Sequence, residues 1–598
     1  ATEQGERKQV TAVFVDLVNF SSVASTADAE DLQSWLESFY QSCREILEGY
    51  DGKVTEYLGD GVVAFFGLEK ADELAAGKSV HATLKVIAKG APLFVDGRKL
   101  KIRAGIATGE VATPGKISQN MPLATGMVTT LARRIQERAE PETVLISEHT
   151  KNLLRGAVML EPVPDQKLKG FTEPRVLYRA TGQKKLQAPD ASPVLVGRSV
   201  EREIIKNAEK PCLVIGQAGY GKSALAHACI QDAGGAIIIQ ADGVNRRADY
   251  QPFRDWLLGL CQTNTPDFND LIRVFPALSN DDLRALALVL GLAEGQRLFS
   301  GLPNLALKPK IEAALWSAIR AQGGAMVLFE DLHWFDTASL AVLQTIIRDP
   351  ANANHRILMN SREDAKVSEF LGALDLRLVN LPALNAAESG EMLDALSAAG
   401  LPQRDKELLI QRAGGVPLFL QQLLSQRGDG DGDANVPATL MDLLAERIDR
   451  TGTAKHIIQQ AAALGSLFSK ALLQAINPDE TNLDAMLEKA AGVGVLQKRA
   501  GDEWAFSHGL LRQAAYQTLL RKTRATLHAR IAAVQHIRIL ELAAHEPSAF
   551  TMLKVTAARA GTGRMLAREV AAYQALASLP VAAGIPEVRH LEMSKAGL

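Results

Sequence analysis

The stretch KVTEYLGDGVVAFFG, residues 53–67, decides how the first third of the chain is read. Its Leu-Gly-Asp-Gly turn brackets an acid between glycines, and the apolar run VVAFF follows directly. Turn glycines between two strand-like runs predict a hairpin with Asp60 at its turn. Outward on the N-terminal side, QVTAVFVD at 9–16 is an apolar, β-branched run that ends at Asp16, and AEDLQSWLESFYQSCREILEGY after it has helical periodicity. On the C-terminal side come a helix near 75–89, the strand KLKIRAGIATGE, a helix at about 126–139, the strand TVLIS and the closing segment KLKGFTEPRVLYRAT. Strands alternating with helices predict an α/β domain.

At 598 residues the chain is too long for one core, and about 150 residues per domain predicts three or four units. An apolar content of 47% and a charged content of 22% are those of ordinary globular domains. The net charge of -2 gives no global pull toward nucleic acid or an anionic membrane. Four cysteines, Cys43, Cys212, Cys229 and Cys261, form no CxxC pair, which argues against a disulfide framework or a zinc site and for a reducing compartment. No apolar run approaches the roughly 18 residues that span a bilayer, and ATEQGERKQVT lacks a signal-peptide core. The expected location is cytoplasmic.

The segment GQKKLQAPDASP, 182–193, is polar with two prolines and reads as a linker. It separates 1–181 from a second α/β unit, 194–380, with buried strands predicted at PCLVIG, GAIIIQA, AMVLFED and HRILMNS. Helical periodicity then takes over, broken by RGDGDGDANVP at 427–437. The acids of that tract alternate as in a calcium loop, but Ala434 stands where the sharp-turn glycine belongs and Leu440 where the bidentate acid belongs, so a linker at 427–436 is the reading.

Asp16 and Asp60 fall on adjacent strand ends, where two carboxylates can hold two divalent cations about 4 Å apart. Taken with VFVDLVNFSSV, RAGIATGEV, TGMVTTLARRIQ and KLKGFTEPRVLYR, the order and spacing of these segments resemble class III nucleotidyl cyclase domains over nearly all of residues 8–181. The resemblance implies a ferredoxin-like α/β domain that works as a head-to-tail homodimer with shared sites. It also implies Asp16 and Asp60 as ligands of two Mg or Mn ions, Arg134 as the residue that stabilises charge at the reacting phosphate, and Lys169 as a phosphate ligand. Three positions depart from the family pattern. Glu56 stands where adenylate-type members have a lysine and guanylate-type members a glutamate. Leu123 occupies the second base-reading position and cannot hydrogen-bond a base. Thr130 replaces an asparagine that positions the ribose, a loss that typically costs about 10²- to 10³-fold in rate. A carboxylate at 56 can accept from both N1–H and N2–H of guanine and repels adenine's acceptor, so Glu56 reads as a guanine reader or as a solvated strand residue of a decayed pocket.

GQAGYGKS, 216–223, satisfies GxxxxGK[ST] directly after PCLVIG and before the helix SALAHACIQ. The loop of Gly216, Gly219 and Gly221 would cradle phosphates with its N–H groups, Lys222 would reach the terminal phosphates, and Ser223 would bind magnesium. Glu330 and Asp331 end the predicted buried strand AMVLFED, one to hold magnesium through water and one to orient the attacking water. Arg362 in MNSRE is placed to sense the terminal phosphate. Pro417 in GGVPLFL resembles the adenine contact of signalling-ATPase lids. With EDLHWFD, VPATLMDLLAERIDR and FSHGLLRQAAYQTLL, residues 194 to about 535 resemble the ATPase part of bacterial signal-transduction ATPases, in which an AAA-like core, here 194–380, is followed by a helical lid and a winged-helix segment. That resemblance implies Mg-ATP at the loop, a helical lid at 381–426 and a winged-helix-like region at 437–525, while the Ala-rich stretch 526–598 reads by itself as a helical C-terminal segment. The charges of HGLLRQAAYQTLLRKTRATLHAR are spaced like a solvated helix face, which weighs against DNA as a partner. His333 and Trp334 read as packing residues. Two functions stay open: a weak cyclase acting on ATP or GTP under control of the loop module, or a nucleotide-switched regulator with a degenerate cyclase domain.

Overall fold

The computed structural model describes residues 5–545 except 21–23, 26, 90–93, 96–97, 114–125, 155–157, 184–194, 242, 245–248, 264, 300–303, 325, 350–355, 373, 398–399, 426–437 and 500. Leu123 and the linkers at 182–193 and 427–436 therefore lie wholly or mostly outside the described residues, as does 546–598.

The first unit is a seven-stranded sheet of β1 (Glu6–Leu17), β2 (Lys53–Leu58), β3 (Gly61–Phe66), β4 (Ile102–Thr113), β5 (Val144–Ser147), β6 (Val158–Gln166) and β7 (Arg175–Gln183). Their order across the sheet is β2-β3-β1-β4-β5-β7-β6. β3 lies between β1 and β2 and runs antiparallel to both, and β4 runs antiparallel to β1. The first four strands thus make the split βαβ arrangement of ferredoxin-like folds. Two helices, α1 (Ala29–Gly49) and α2 (Ala75–Lys89), bury Phe39, Leu47 and Val80 on one face. A third, α3 (Met127–Arg138), buries Val128, Ala132 and Ile135 on the other. Because both faces are covered, β1 and β3 read as continuous apolar runs rather than alternating ones. One strand escaped the sequence reading: β6 contains Pro162 and Pro164, which would break a central ladder but are tolerated at the edge position it occupies.

The second sheet has five parallel strands, β8 (Cys212–Ile215), β9 (Ile237–Gln240), β10 (Met326–Glu330), β11 (Arg356–Ser361) and β12 (Arg377–Asn380), in the order β9-β10-β11-β8-β12. β12 also went unread, since its short edge register exposes Arg377, Leu378 and Asn380 and dilutes the apolar signal. Beyond it the described chain is mainly helical. One buried cluster runs from Leu384 to Ile531, so the helices at 386–425 share a core with those after 438. That second part carries a three-stranded sheet of 467–469, 503–506 and 496–498.

The units meet at one end of the first sheet. Gln9 Nε2 donates to Asp442 Oδ2 at 2.8 Å, Lys455 bridges Glu6 and Asp449 at 2.6 and 2.7 Å, and Arg7 N donates to the Thr518 carbonyl at 2.8 Å. The segment after β3 joins the same contact: Ala71 N donates to Asp449 Oδ2 at 2.8 Å. These groups sit at the start of β1 and the end of β3, whereas Asp16 and Asp60 sit at the opposite ends. Ten residues of strand at about 3.3 Å each put roughly 33 Å between Glu6 and Asp16.

Candidate functional site

The strand register builds the first site. Asp16 pairs across the sheet with Gly61 on one side and Arg103 on the other, and Leu17 N donates to the Asp60 carbonyl at 3.1 Å. The hairpin turn is fixed further by the Tyr40 hydroxyl, which donates to the Gly59 carbonyl. Asp16 Oδ2 accepts from Arg103 Nε and Nη2 at 3.0 and 2.9 Å and from Gln136 Nε2 at 2.8 Å. Burial pushes the Asp16 carboxyl above the usual range, the bonds from Arg103 and Gln136 pull it back, and the nearby Asp60 charge pushes it up again. Two carboxylates close enough to repel through a partly buried space fit a divalent cation, which would remove that repulsion. Among the described residues no group of three or more His, Cys, Asp or Glu side chains is arranged to hold a metal. The donor set is therefore two acids, with remaining positions for water or substrate phosphates, as hard cations accept.

Helix α3 carries the other half and turns it away. Gln136, on Asp16, and Arg134 are two residues apart, about 200° around the helix. Arg134 instead projects from the outer side, where Nη1 donates to both Glu137 oxygens at 2.6 and 2.7 Å, and Thr130 lies exposed one turn earlier on that same face. Lys169 is exposed in the segment between β6 and β7, and Glu56 is exposed on the edge strand β2. The acids are thus brought together, while Thr130, Lys169 and Glu56 are exposed and the half-buried Arg134 is engaged by Glu137, none of them closing on the acids. Arg103 and Gln136 were missed by the sequence reading. Arg103 is revealed only by the register that sets it opposite Asp16, and Gln136 only by the packing of α3 on β4, neither of which a sequence states.

α3 approaches the sheet where β4 has no side chain: a Cβ on Gly105 would lie 2.1 Å from Gln136 N and 2.4 Å from the Ala132 carbonyl oxygen. That close approach is what lets Gln136 reach Asp16.

The second site follows β8. Gly219 and Gly221 have φ of +81° and +89°, a conformation glycine adopts without strain, and helix α4 (Lys222–Asp232) starts immediately after them. Lys222 Nζ donates to the Gly216 and Gln217 carbonyls, both at 3.0 Å, so the ammonium is folded onto its own loop. Burial, reinforced by Arg362, pushes it down to about 8. Glu330 ends β10 and is buried; burial opposes its ionisation, but hydrogen bonds from His227, Ser223 and Asn360 outweigh that and hold it below the ordinary range. Ser223 and Glu330 are therefore in contact, as a shared magnesium site requires. Asp331, at φ +61°, is pushed up to about 6 by burial and by Glu330. Pro417 sits over the loop: Leu418 N donates to the Gly219 carbonyl at 3.2 Å, and a Cβ on Gly221 would be 3.9 Å from Pro417 Cγ.

Arg362 is near this loop but engaged elsewhere. Its Nη2 donates to Glu73, a residue of the first unit, and its guanidinium lies 5.6 Å from the Trp334 ring. Trp334 packs against Gly243 beside Leu74, in line with its reading as a packing residue.

Two α/β domains in tandem are what these geometries define, one with paired acids beside a hairpin turn and one with a glycine loop at a helix start. Residues 2–181 match the family model described as the adenylate and guanylate cyclase catalytic domain, and residues 194–359 match the one described as the AAA ATPase domain, so an adenylate/guanylate cyclase catalytic domain is followed by an AAA ATPase domain. It is 26% identical over 580 residues to an uncharacterized protein of Rhizobium meliloti (strain 1021), covering 88% of this chain and 56% of that one. The chain thus spans about half the length of that relative. It is 31% identical over 148 residues to the head-specific guanylate cyclase of Drosophila melanogaster, covering 24% of this chain and 22% of that one. Among solved structures it is similar to the guanylate cyclase domain of a Catenaria anguillulae protein in complex with GTP, at 23% identity and a TM-score of 0.28, covering 30% of this chain and 99% of that one. No described helix is long and apolar enough to cross a membrane.

Proposed function

We propose that this chain forms a cyclic nucleotide from GTP or ATP in a homodimer and that its AAA module, loaded with Mg-ATP, controls the output. The observation that carries the reading is the disposition around α3: Gln136 reaches Asp16 on the inner face while Arg134 and Thr130 occupy the outer face. One subunit cannot close such a site, but a second copy placed head to tail supplies Arg134 and Lys169 to the acids of the first. Mg or Mn, when bound at Asp16 and Asp60, supplies charge neutralisation of the phosphates and activation of the ribose 3′-hydroxyl. The chain's own groups do the rest. Arg103 holds Asp16 in place, Arg134 and Lys169 take up the charge that moves onto the leaving pyrophosphate, and Glu56 on the exposed hairpin accepts from guanine. Thr130 gives the ribose a shorter and weaker support than an amide, so turnover is low.

In this reading the helices at 386–425 are the lid and the region after 438 the winged helix. The protein works in the cytoplasm, a placement its four buried free thiols favour. Thr130 favours a second reading, a domain that binds nucleotide without converting it. Product formation by the full chain with manganese, offered GTP and ATP separately against an Asp60→Ala blank, separates them. Cyclic GMP above cyclic AMP supports Glu56 as the guanine reader, and cyclic AMP in excess removes that role. No product above the blank moves the assignment to the regulator.

A further inference from the structure

Glu73 and Arg362 belong to different domains, yet they meet inside the nucleotide-binding half of the molecule. Glu73 is almost fully buried, with its side chain 3% exposed against 14% for Arg362. Arg362 directly follows β11, and Ser361 at the end of that strand accepts the Gly216 N–H of the phosphate loop at 3.3 Å. Glu73 is close enough for its charge to be felt at both Lys222 and Asp331. Its neighbours are seated as tightly. The backbone at Gly243 leaves room for Leu74 and Trp334, which lie 2.4 and 2.8 Å from where a Cβ would be, and Val244 Cγ2 is 3.2 Å from the corresponding point on Gly77. A cavity of about 760 Å³, bordered by Glu73, Lys78, Trp334, Arg362, Asp449 and Arg450, opens beside the pair.

A guanidinium presents one planar fork, and a carboxylate and a phosphate compete for that fork. A buried carboxylate that gives up a guanidinium loses a charge-assisted hydrogen bond and is drawn toward water. We propose that Glu73 is a latch on the AAA nucleotide site: it holds Arg362 while no nucleoside triphosphate is bound, and a γ-phosphate at the loop draws Arg362 away and releases the segment 68–78 of the cyclase domain into the adjoining cavity. The proposal rests on the reading of 216–223 as a nucleotide site. A diphosphate ends one phosphoryl group short and leaves the latch closed. The cyclase domain thereby reports which nucleotide its neighbour holds, through a residue of its own.

Hydrogen–deuterium exchange on the full chain with magnesium, comparing no nucleotide, ADP and ATPγS, tests this directly. The expected result is protection of 216–223 by both nucleotides and faster exchange at 68–78 with ATPγS alone. Glu73→Gln should exchange quickly at 68–78 in every state and bind a fluorescent ATP analogue about 10-fold more tightly, within the usual range of coupling between sites, with ADP affinity unchanged. Unchanged ADP affinity also shows that the variant folds. Protection at 216–223 without any nucleotide-dependent change at 68–78 overturns the latch and leaves the nucleotide site standing. Absence of protection at 216–223 overturns the latch and the nucleotide site together.

Discussion

Replacing Gly105 by alanine should damage the cyclase site from a distance. The added methyl would lie 2.1 Å from the Gln136 nitrogen and 2.4 Å from the Ala132 oxygen, both backbone atoms of α3. Ordinary contact begins near 3.4 Å, so the helix has to retreat by more than ~1 Å, and no rotamer change relieves a clash with backbone. Overpacking of this kind costs about 1–3 kcal/mol, and a backbone clash belongs at the upper end. For a domain of this size ~3 kcal/mol lowers the melting temperature by about 6–12 °C. The helix also carries Thr130, Arg134 and Gln136, and a misplacement of ~1 Å typically costs about 10²-fold in rate. Gly109 on the same strand is the control, because among the described residues its added methyl would meet only Val128 side-chain atoms, the nearest at 3.4 Å. The assay is product formation with manganese alongside scanning calorimetry of the full chain. The reasoning is refuted if Gly105→Ala melts and turns over like the parent, or if the two alanine variants behave alike.

Two further outcomes follow from other parts of the molecule. Asp16→Asn and Arg134→Ala should each be inactive alone, and an equal mixture should recover about a quarter of parental activity, since half of random dimers are mixed and each has one intact site; a mixture as inactive as its components would exclude shared sites. His508 is buried and pushed down to about 3 by burial and by Arg447, so its neutral form stabilises the fold above the unfolded value near 6.5, and that contribution is lost as pH falls from 6.5 toward 3. His508→Asn keeps an acceptor for the Leu511 N–H that His508 Nδ1 now caps at 3.3 Å, and should flatten the acid limb of a chemical-unfolding series between pH 6.5 and 4; an unchanged limb would reject the assignment.

The parts legible in the sequence were those whose signal is local. The hairpin at 53–67 and the loop at 216–223 announce themselves by glycine spacing next to apolar runs, and both formed where their strands and helices required. Periodicity was enough for α1, α2 and α3. Edge strands were not legible: Pro162 and Pro164 in β6 and the exposed residues of β12 erase the apolar run that marks a central strand. Groups defined by pairing were equally silent. Arg103 becomes an Asp16 ligand only through the antiparallel register of β1 with β4, and Gln136 only because Gly105 lets the helix come close. Glu73 gave no signal at all, since ADEL between a strand and a helix looks like an ordinary helix start until another domain covers it.

The position of the domain contact constrains how a nucleotide at the loop can influence the cyclase site. The helical region and the Glu73 segment grip the start of β1 and the end of β3, and the acids lie at the far ends of those strands. Among the described residues of one subunit, the contact lies at the end of the strands away from the acids, which separates the two nucleotide sites and places the neighbouring domain clear of the first. What connects them is β3 itself. Asp60 immediately precedes it, its six residues pair with β1 and five of them with β2 as well, five of the six are buried, and the latch segment continues from its end. A strand so enclosed does not bend, and close-packed interiors transmit displacement rather than absorb it. On the proposed latch, movement at Glu73 is expected at Asp60 as a shift of the strand along its own axis or as a change in how the hairpin faces a second subunit. Both alter the one step that needs two copies, so the expected control acts on assembly of the shared site rather than on chemistry within it.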